Sequence, residues 1–165
     1  MIETNKIGYA CISMRLSYPQ KFGGKERGVK PITTNRSMIK RTFIEKGVDY
    51  ASELILQNVK DLNSIIGWNV MNGYDFYRMS SDITPWKTEY DWDDLKDINE
   101  IKQWLHSAGT MATTHGIRLT THPGPFNVLV SPKEQVVENC IKDLTIHGDV
   151  MDMMGLSRTP YNKIN

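Results

Sequence analysis

Stretches of helical apolar spacing alternate along this chain with short β-favouring runs. That alternation predicts a parallel sheet with helices packed outside it. Ala51, Leu54, Ile55, Val59, Leu62, Ile65, Ile66 and Val70 recur at three- and four-residue steps. They predict a helix from Asp49 that stops at a glycine cap, Asn72-Gly73. Ile98, Ile101, Trp104, Leu105, Ala108 and Met111 mark a second helix, closed by Gly116. Val136, Val137, Cys140, Ile141, Leu144, Val150 and Met151 mark a third, which ends at Gly155. Its start is read as a capping box, Ser131-x-x-Glu134, with Pro132 at the first helical position. The β-favouring runs are 7–13 (IGYACIS), 74–79 (YDFYRM) and 117–121 (IRLTT), and 162–165 (NKIN) reads as the opening of a fourth strand. Between the first strand and the first long helix lies an irregular segment, from which Thr34 or Asn35 would cap a short helix through Phe43. The expected order is therefore β-loop-α-β-α-β-α-β, about three and a half β/α units.

A complete (β/α)8 barrel takes about 250 residues, and this chain has 165. Half a barrel leaves two sheet edges and much apolar surface open, which is costly, so the sequence reads as cut. Net charge is +1 and identifies no partner. Its distribution is more informative: nine Lys or Arg against two Glu between Met14 and Gly47, then seven acids between Ser81 and Glu100. A basic arm beside an acidic loop suits polyanion binding near a metal site, and equally an unevenly charged solvated surface. The two cysteines, Cys11 and Cys140, lie outside any ligand spacing and read as buried thiols of a reducing compartment. No apolar run approaches membrane length and the amino terminus lacks a signal-peptide core, so the expectation is a soluble, cytoplasmic protein.

Strand, histidine, loop and helix follow one another in residues 116–134, GIRLTTHPGPFNVLVSPKE. Active sites of parallel β/α folds lie at the carboxyl ends of the strands, which makes His122 the leading candidate for a metal ligand or acid/base group. Imidazole suits Mn, Fe or Zn, with neighbouring carboxylates completing the site. Glu89 and Asp82, in the loop after the second strand, can reach the same face. His106, His115 and His147 fall in or at the ends of helices and read as surface or helix-terminal groups. Tyr9 reads as a core aromatic or as a base-stacking one. Pro125 and Phe126 form an apolar loop tip that packs inward or wedges into a base stack. Arg36, with the lysines around it, suits phosphate contacts.

Taken in order, GYACIS, TTNR, NVKDLNSIIGWNVMNG, FYRMSSDITPW, GIRLTTHPG, SPKEQVVENCIKDLTIHGDVMDMMGL and TPYNKIN resemble the UV damage endonucleases of the UvdE type over nearly the whole chain. The resemblance implies a TIM barrel that binds divalent metal, usually Mn2+, and nicks damaged double-stranded DNA immediately 5′ to pyrimidine dimers and other distortions. It aligns His122 with a metal-ligand histidine and Tyr9 with an aromatic that probes the lesion. Glu89 stands where the family has another metal histidine, and Ser13 where it has asparagine. Pro125-Phe126 replaces a Gln-aromatic pair that enters the duplex. The remaining ligands belong to strands beyond Asn165. On this reading residues 1–165 are the N-terminal part of a single TIM-barrel endonuclease domain, inactive alone. A longer form, or a second chain supplying the C-terminal half, completes it. The competing readings are another divalent-metal TIM-barrel enzyme of the sugar isomerase kind and an inactive fragment that binds DNA through its basic arm.

Overall fold

The computed structural model describes residues 6–22, 30–125 and 127–165. Strand β1 (Gly8–Ala10) is followed by a one-turn helix α1 (Met14–Ser17). Then come the long helix α2 (Lys40–Asn72), β2 (Phe76–Met79), α3 (Ile98–Thr114), β3 (Arg118–Thr121) and α4 (Glu134–Met153). The strands form a parallel sheet in the order β1-β2-β3. Beyond α4 the chain returns to the sheet, where Ile164 pairs with Thr121 in parallel. Thr121 N–H donates to Lys163 O at 3.1 Å, and Asn165 N–H donates to Thr121 O at 2.9 Å. Among the described residues this is the α/β alternation with a parallel sheet that the periodicity predicts.

One face of the sheet is closed by helices. Tyr77 and Leu119 are fully buried against Ile55, Leu62 and Ile66 of α2 and Ile101, Leu105 and Ala108 of α3. Full burial of such a side chain stabilises by about 1.5–3 kcal/mol, so this face holds the sheet together. Two glycines permit the closest approaches. A Cβ on Gly8 would stand 1.7 Å from Phe76 O across the β1–β2 pair, and one on Gly109 would stand 1.8 Å from Met154 O, where α3 meets the end of α4. The predicted glycine stops are in place: Gly73, Gly116 and Gly155 all take positive φ, at 72°, 66° and 70°.

Four local expectations are corrected. Neither Thr34 nor Asn35 caps a helix. The chain is irregular up to Ile39, the N-cap, and α2 starts at Lys40 and runs on through a break at Gly47 (φ 68°, ψ −164°). Gly47 therefore joins the two helical segments that the sequence suggests separately. Helix α4 begins at Glu134 with Lys133 at its N-cap, and Pro132 precedes it. The Ser131 hydroxyl instead accepts from Lys133 N–H at 3.2 Å, forming a turn two residues before the helix. Strand β1 is three residues long because Cys11 takes φ 58° and breaks the extended chain. The acidic segment after β2 is built of three short 3-10 turns, at Ser81–Ile83, Lys87–Glu89 and Trp92–Asp94. No helix among the described residues is long and apolar enough to cross a membrane.

Candidate metal and nucleic-acid site

The carboxyl ends of β1 and β3 bring together Cys11 and His122, Sγ to Nε2, at 3.1 Å. Cys11 is held on both sides of its left-handed backbone. Its N–H donates to Arg78 O at 2.7 Å, and the buried Tyr77 hydroxyl donates to its carbonyl at 2.9 Å. Strained positions of this kind persist only where surrounding structure fixes them, and they cluster at functional sites. Here the break in alternation turns the thiol toward His122. Burial pushes the Cys11 thiol pKa up, Arg78 pulls it down, and Asp82 adds to the rise. His122 Nδ1 lies 3.0 Å from Pro123 O. A carbonyl can only accept, so the proton sits on Nδ1 and Nε2 keeps its lone pair for a thiol proton or a cation.

His147 overturns the reading of it as a surface or helix-terminal group. It is 4% exposed, midway along α4, with Nδ1 3.2 Å from the Thr121 hydroxyl and Nε2 3.8 Å from Asp143 Oδ2. Burial lowers its pKa; Asp143 acts to raise it and His122 to lower it. Asn127 ties the post-His122 loop to the same carboxylate, donating from Nδ2 to Asp143 Oδ2 at 2.7 Å. The signal was in the sequence: position 147 continues the inward stripe of Cys140, Leu144, Val150 and Met151.

Beside these groups opens a cleft of about 520 Å³, lined by Met38, Asp82, Trp86, Thr88, Gly124 and His147 among others. Its walls are pinned from below by Asn58, fully buried on α2. The Asn58 amide donates to Arg36 O at 3.0 Å and Ile83 O at 3.2 Å, and its Oδ1 accepts from Arg36 N–H at 3.1 Å. Trp86, itself left-handed at φ 59°, donates from Nε1 to Met38 O at 2.8 Å and stacks on Phe43. The turn at Lys87–Glu89 is fastened to α4 by Lys142, whose ammonium donates to Thr88 O.

The other candidates are placed as follows. Glu89 is exposed on its 3-10 turn, and its carboxylate accepts from the Thr88 hydroxyl at 3.5 Å. No group of three or more His, Cys, Asp or Glu placed to hold a metal ion is found among the described residues. Asp82 is exposed on the rim of the cleft, near enough for its charge to act on Cys11. Tyr9 is half-buried among Trp68, Tyr74 and Tyr77, and its hydroxyl donates to Asn69 Oδ1 at 2.7 Å. Burial pushes its pKa up against hydrogen bonds to Ser13 and Asn69. Ser13 is buried and serves as the N-cap of α1. Arg36 is committed internally, its Nη1 2.6 Å from Asp61 Oδ2 and from Thr33 O, its Nη2 2.9 Å from Pro31 O. Pro125 is exposed on the loop, while Phe126 lies outside the described residues. Cys140 is buried, as expected; Cys11 is only partly so.

The sequence model of the family described as UV-endonuclease UvdE matches residues 5–165. The chain is 33% identical over 157 residues to a putative UV-damage endonuclease of Acanthamoeba polyphaga mimivirus, covering 92% of this chain and 43% of that protein. It is 31% identical over 153 residues to the UV DNA damage endonuclease of Clostridium perfringens, covering 90% of this chain and 32% of that one. The crystal structure of SacUVDE superposes with a TM-score of 0.72 at 24% identity, over 96% of this chain and 47% of its own, which supports the fold. The chain thus spans less than half the length of each of these relatives.

Proposed function

This chain belongs to the UV-endonuclease UvdE family, and from that membership we propose that it forms part of a metal-dependent endonuclease that nicks UV-damaged duplex DNA 5′ to the lesion. The observation that carries the reading is His122, at the carboxyl end of β3, with Nδ1 against a carbonyl and Nε2 facing the Cys11 thiol, whose place a cation could take. A parallel sheet with helices on one face, and Ile164 taking up a fourth strand position beside β3, fits the first three and a half units of a (β/α)8 barrel. The share of the relatives that the chain covers fits the same division. We assign the rest of the barrel, with its further ligands, to polypeptide outside these 165 residues, in the same protein or in a second chain.

The donor chemistry fits a divalent cation in part. His122 offers one imidazole nitrogen of fixed tautomer, Asp82 one carboxylate on the rim of the cleft, and Glu89 a second on an exposed turn. A bound Mn2+ or similar ion would activate water and stabilise charge on the scissile phosphate. The residues of this chain would hold and orient it. Exposed lysines and arginines before and within the first turns of α2 supply the attraction for the strand, and the loop at Pro125 faces the lesion. In the protein that carries this chain, an end-labelled duplex with one pyrimidine dimer is expected to be cut 5′ to the dimer when Mn2+ is present. His122→Ala is expected to lose cutting while still binding the duplex. Cutting that ignores the dimer, or a His122→Ala variant as active as the parent, would refute the proposal.

A further inference from the structure

Phe76, Arg78, Arg118 and Thr120 alternate with the core residues Tyr77 and Leu119, so they occupy the sheet face opposite the helices. Arg78 and Thr120 are register partners on adjacent strands. Thr120 is 1% exposed, yet its hydroxyl has no hydrogen-bond partner among the described residues. Arg78 Nε is buried and likewise without one. Leaving a buried polar atom unpaired is costly, and two of them side by side on one sheet face call for a shared partner.

We propose that Arg78 and Thr120 together seat a non-bridging oxygen of a nucleic-acid phosphodiester. Both atoms can donate, and no ion pair among the described residues engages Arg78, so the fitting ligand is an oxyanion. The guanidinium fork matches phosphate. The register partner of Arg78 on its other side is Ala10, a small side chain on the same sheet face. Two residues beyond Thr120 stands His122, and the charge of Arg78 also reaches Cys11. The seat therefore lies at the base of the group assigned to the cation, where one phosphate can meet both. This inference rests on the endonuclease reading for its choice of ligand.

The test uses the 15N-labelled protein that carries this chain, in metal-free buffer with a chelator. The Arg78 Nε–H signal, assigned by its loss in Arg78→Lys, is followed as a dinucleoside phosphodiester is added. A saturable downfield shift is expected, with binding about tenfold weaker in Thr120→Val. No shift with the phosphodiester overturns the proposal, as does undiminished binding by Thr120→Val. A shift with inorganic phosphate alone makes the seat one for a free anion, and an equal shift with acetate makes it one for a carboxylate; either result overturns the assignment to a strand. Because no metal and no cutting enter this readout, it is separable from the endonuclease proposal. A chain that shows the shift while the His122 experiment fails retains this site and loses that function.

Discussion

Cys11 and His122 are 111 positions apart in sequence, and their side chains meet at 3.1 Å. Ordinary strand alternation would not bring Cys11 to His122: Cys11 reaches it by adopting φ 58°, fixed by Tyr77 and the carbonyl of Arg78. With Nδ1 anchored to Pro123 O, the imidazole ring has one contact on each nitrogen. The thiol therefore occupies the nitrogen assigned to the cation and must leave it when the cation binds, while Pro123 O on the other nitrogen fixes the tautomer. Cys11→Ala is expected to bind Mn2+ more tightly than the parent, by up to about fivefold for the loss of one competing hydrogen bond, and Cys11→Ser, whose hydroxyl donates to the same nitrogen, is expected to gain less. Titration of Mn2+ followed by electron paramagnetic resonance reads this directly. Weaker binding in Cys11→Ala would mean that the sulfur supports the cation and does not compete with it.

His147 gives the fold a pH dependence. Burial depresses the folded pKa of its imidazole below the ordinary value, while the unfolded chain retains that value, about 6.5. Between the two the unfolded state binds more protons, so stability rises with pH through that window. The contribution is complete above about pH 6.5 and declines as pH falls toward the depressed folded value. His147→Gln is expected to lower stability at pH 7.5 and to flatten its fall as pH drops below about 6.5. Urea midpoints of both proteins across that range decide it; parallel pH curves would remove His147 as the cause.

The helices were legible because their apolar stripes are long, and their ends because Gly73, Gly116 and Gly155 close them. That the strands pair in parallel followed from the alternation alone. The polarity of His147 points to the surface, but its helical phase continues the inward stripe of α4, and phase decides its burial. Cys11 was read as one more buried thiol: no local pattern announces that a strand will break at a non-glycine residue, since the cause lies in Tyr77 and Arg78, 66 and 67 positions away. Arg36 reads as a phosphate contact because its partner, Asp61, sits 25 residues on, in a separate helix that only the tertiary fold brings beside it. Pairings of this kind depend on the tertiary crossing of segments, which spacing within a segment does not encode.

Asn58 is the clearest case of such a crossing and also the most exposed to mutation. It sits on the buried face of α2, in a run where Ile55, Val59 and Leu62 are fully buried, so a leucine there would continue the pattern. The amide instead satisfies the N–H and carbonyl of Arg36 and the carbonyl of Ile83, fastening both walls of the cleft to one helix. Truncation leaves those backbone groups buried and unpaired, at about 1–3 kcal/mol for each that water does not reach. Asn58→Ala is expected to destabilise by about 3 kcal/mol, seen as a lower urea midpoint at an unchanged slope. Asn58→Asp keeps the acceptor for Arg36 N–H but sets a carboxylate oxygen against two carbonyls, and it is expected to be worse than alanine. An Asn58→Asp variant as stable as the parent would show that the two wall segments are held by Trp86 and the Arg36–Asp61 pair alone.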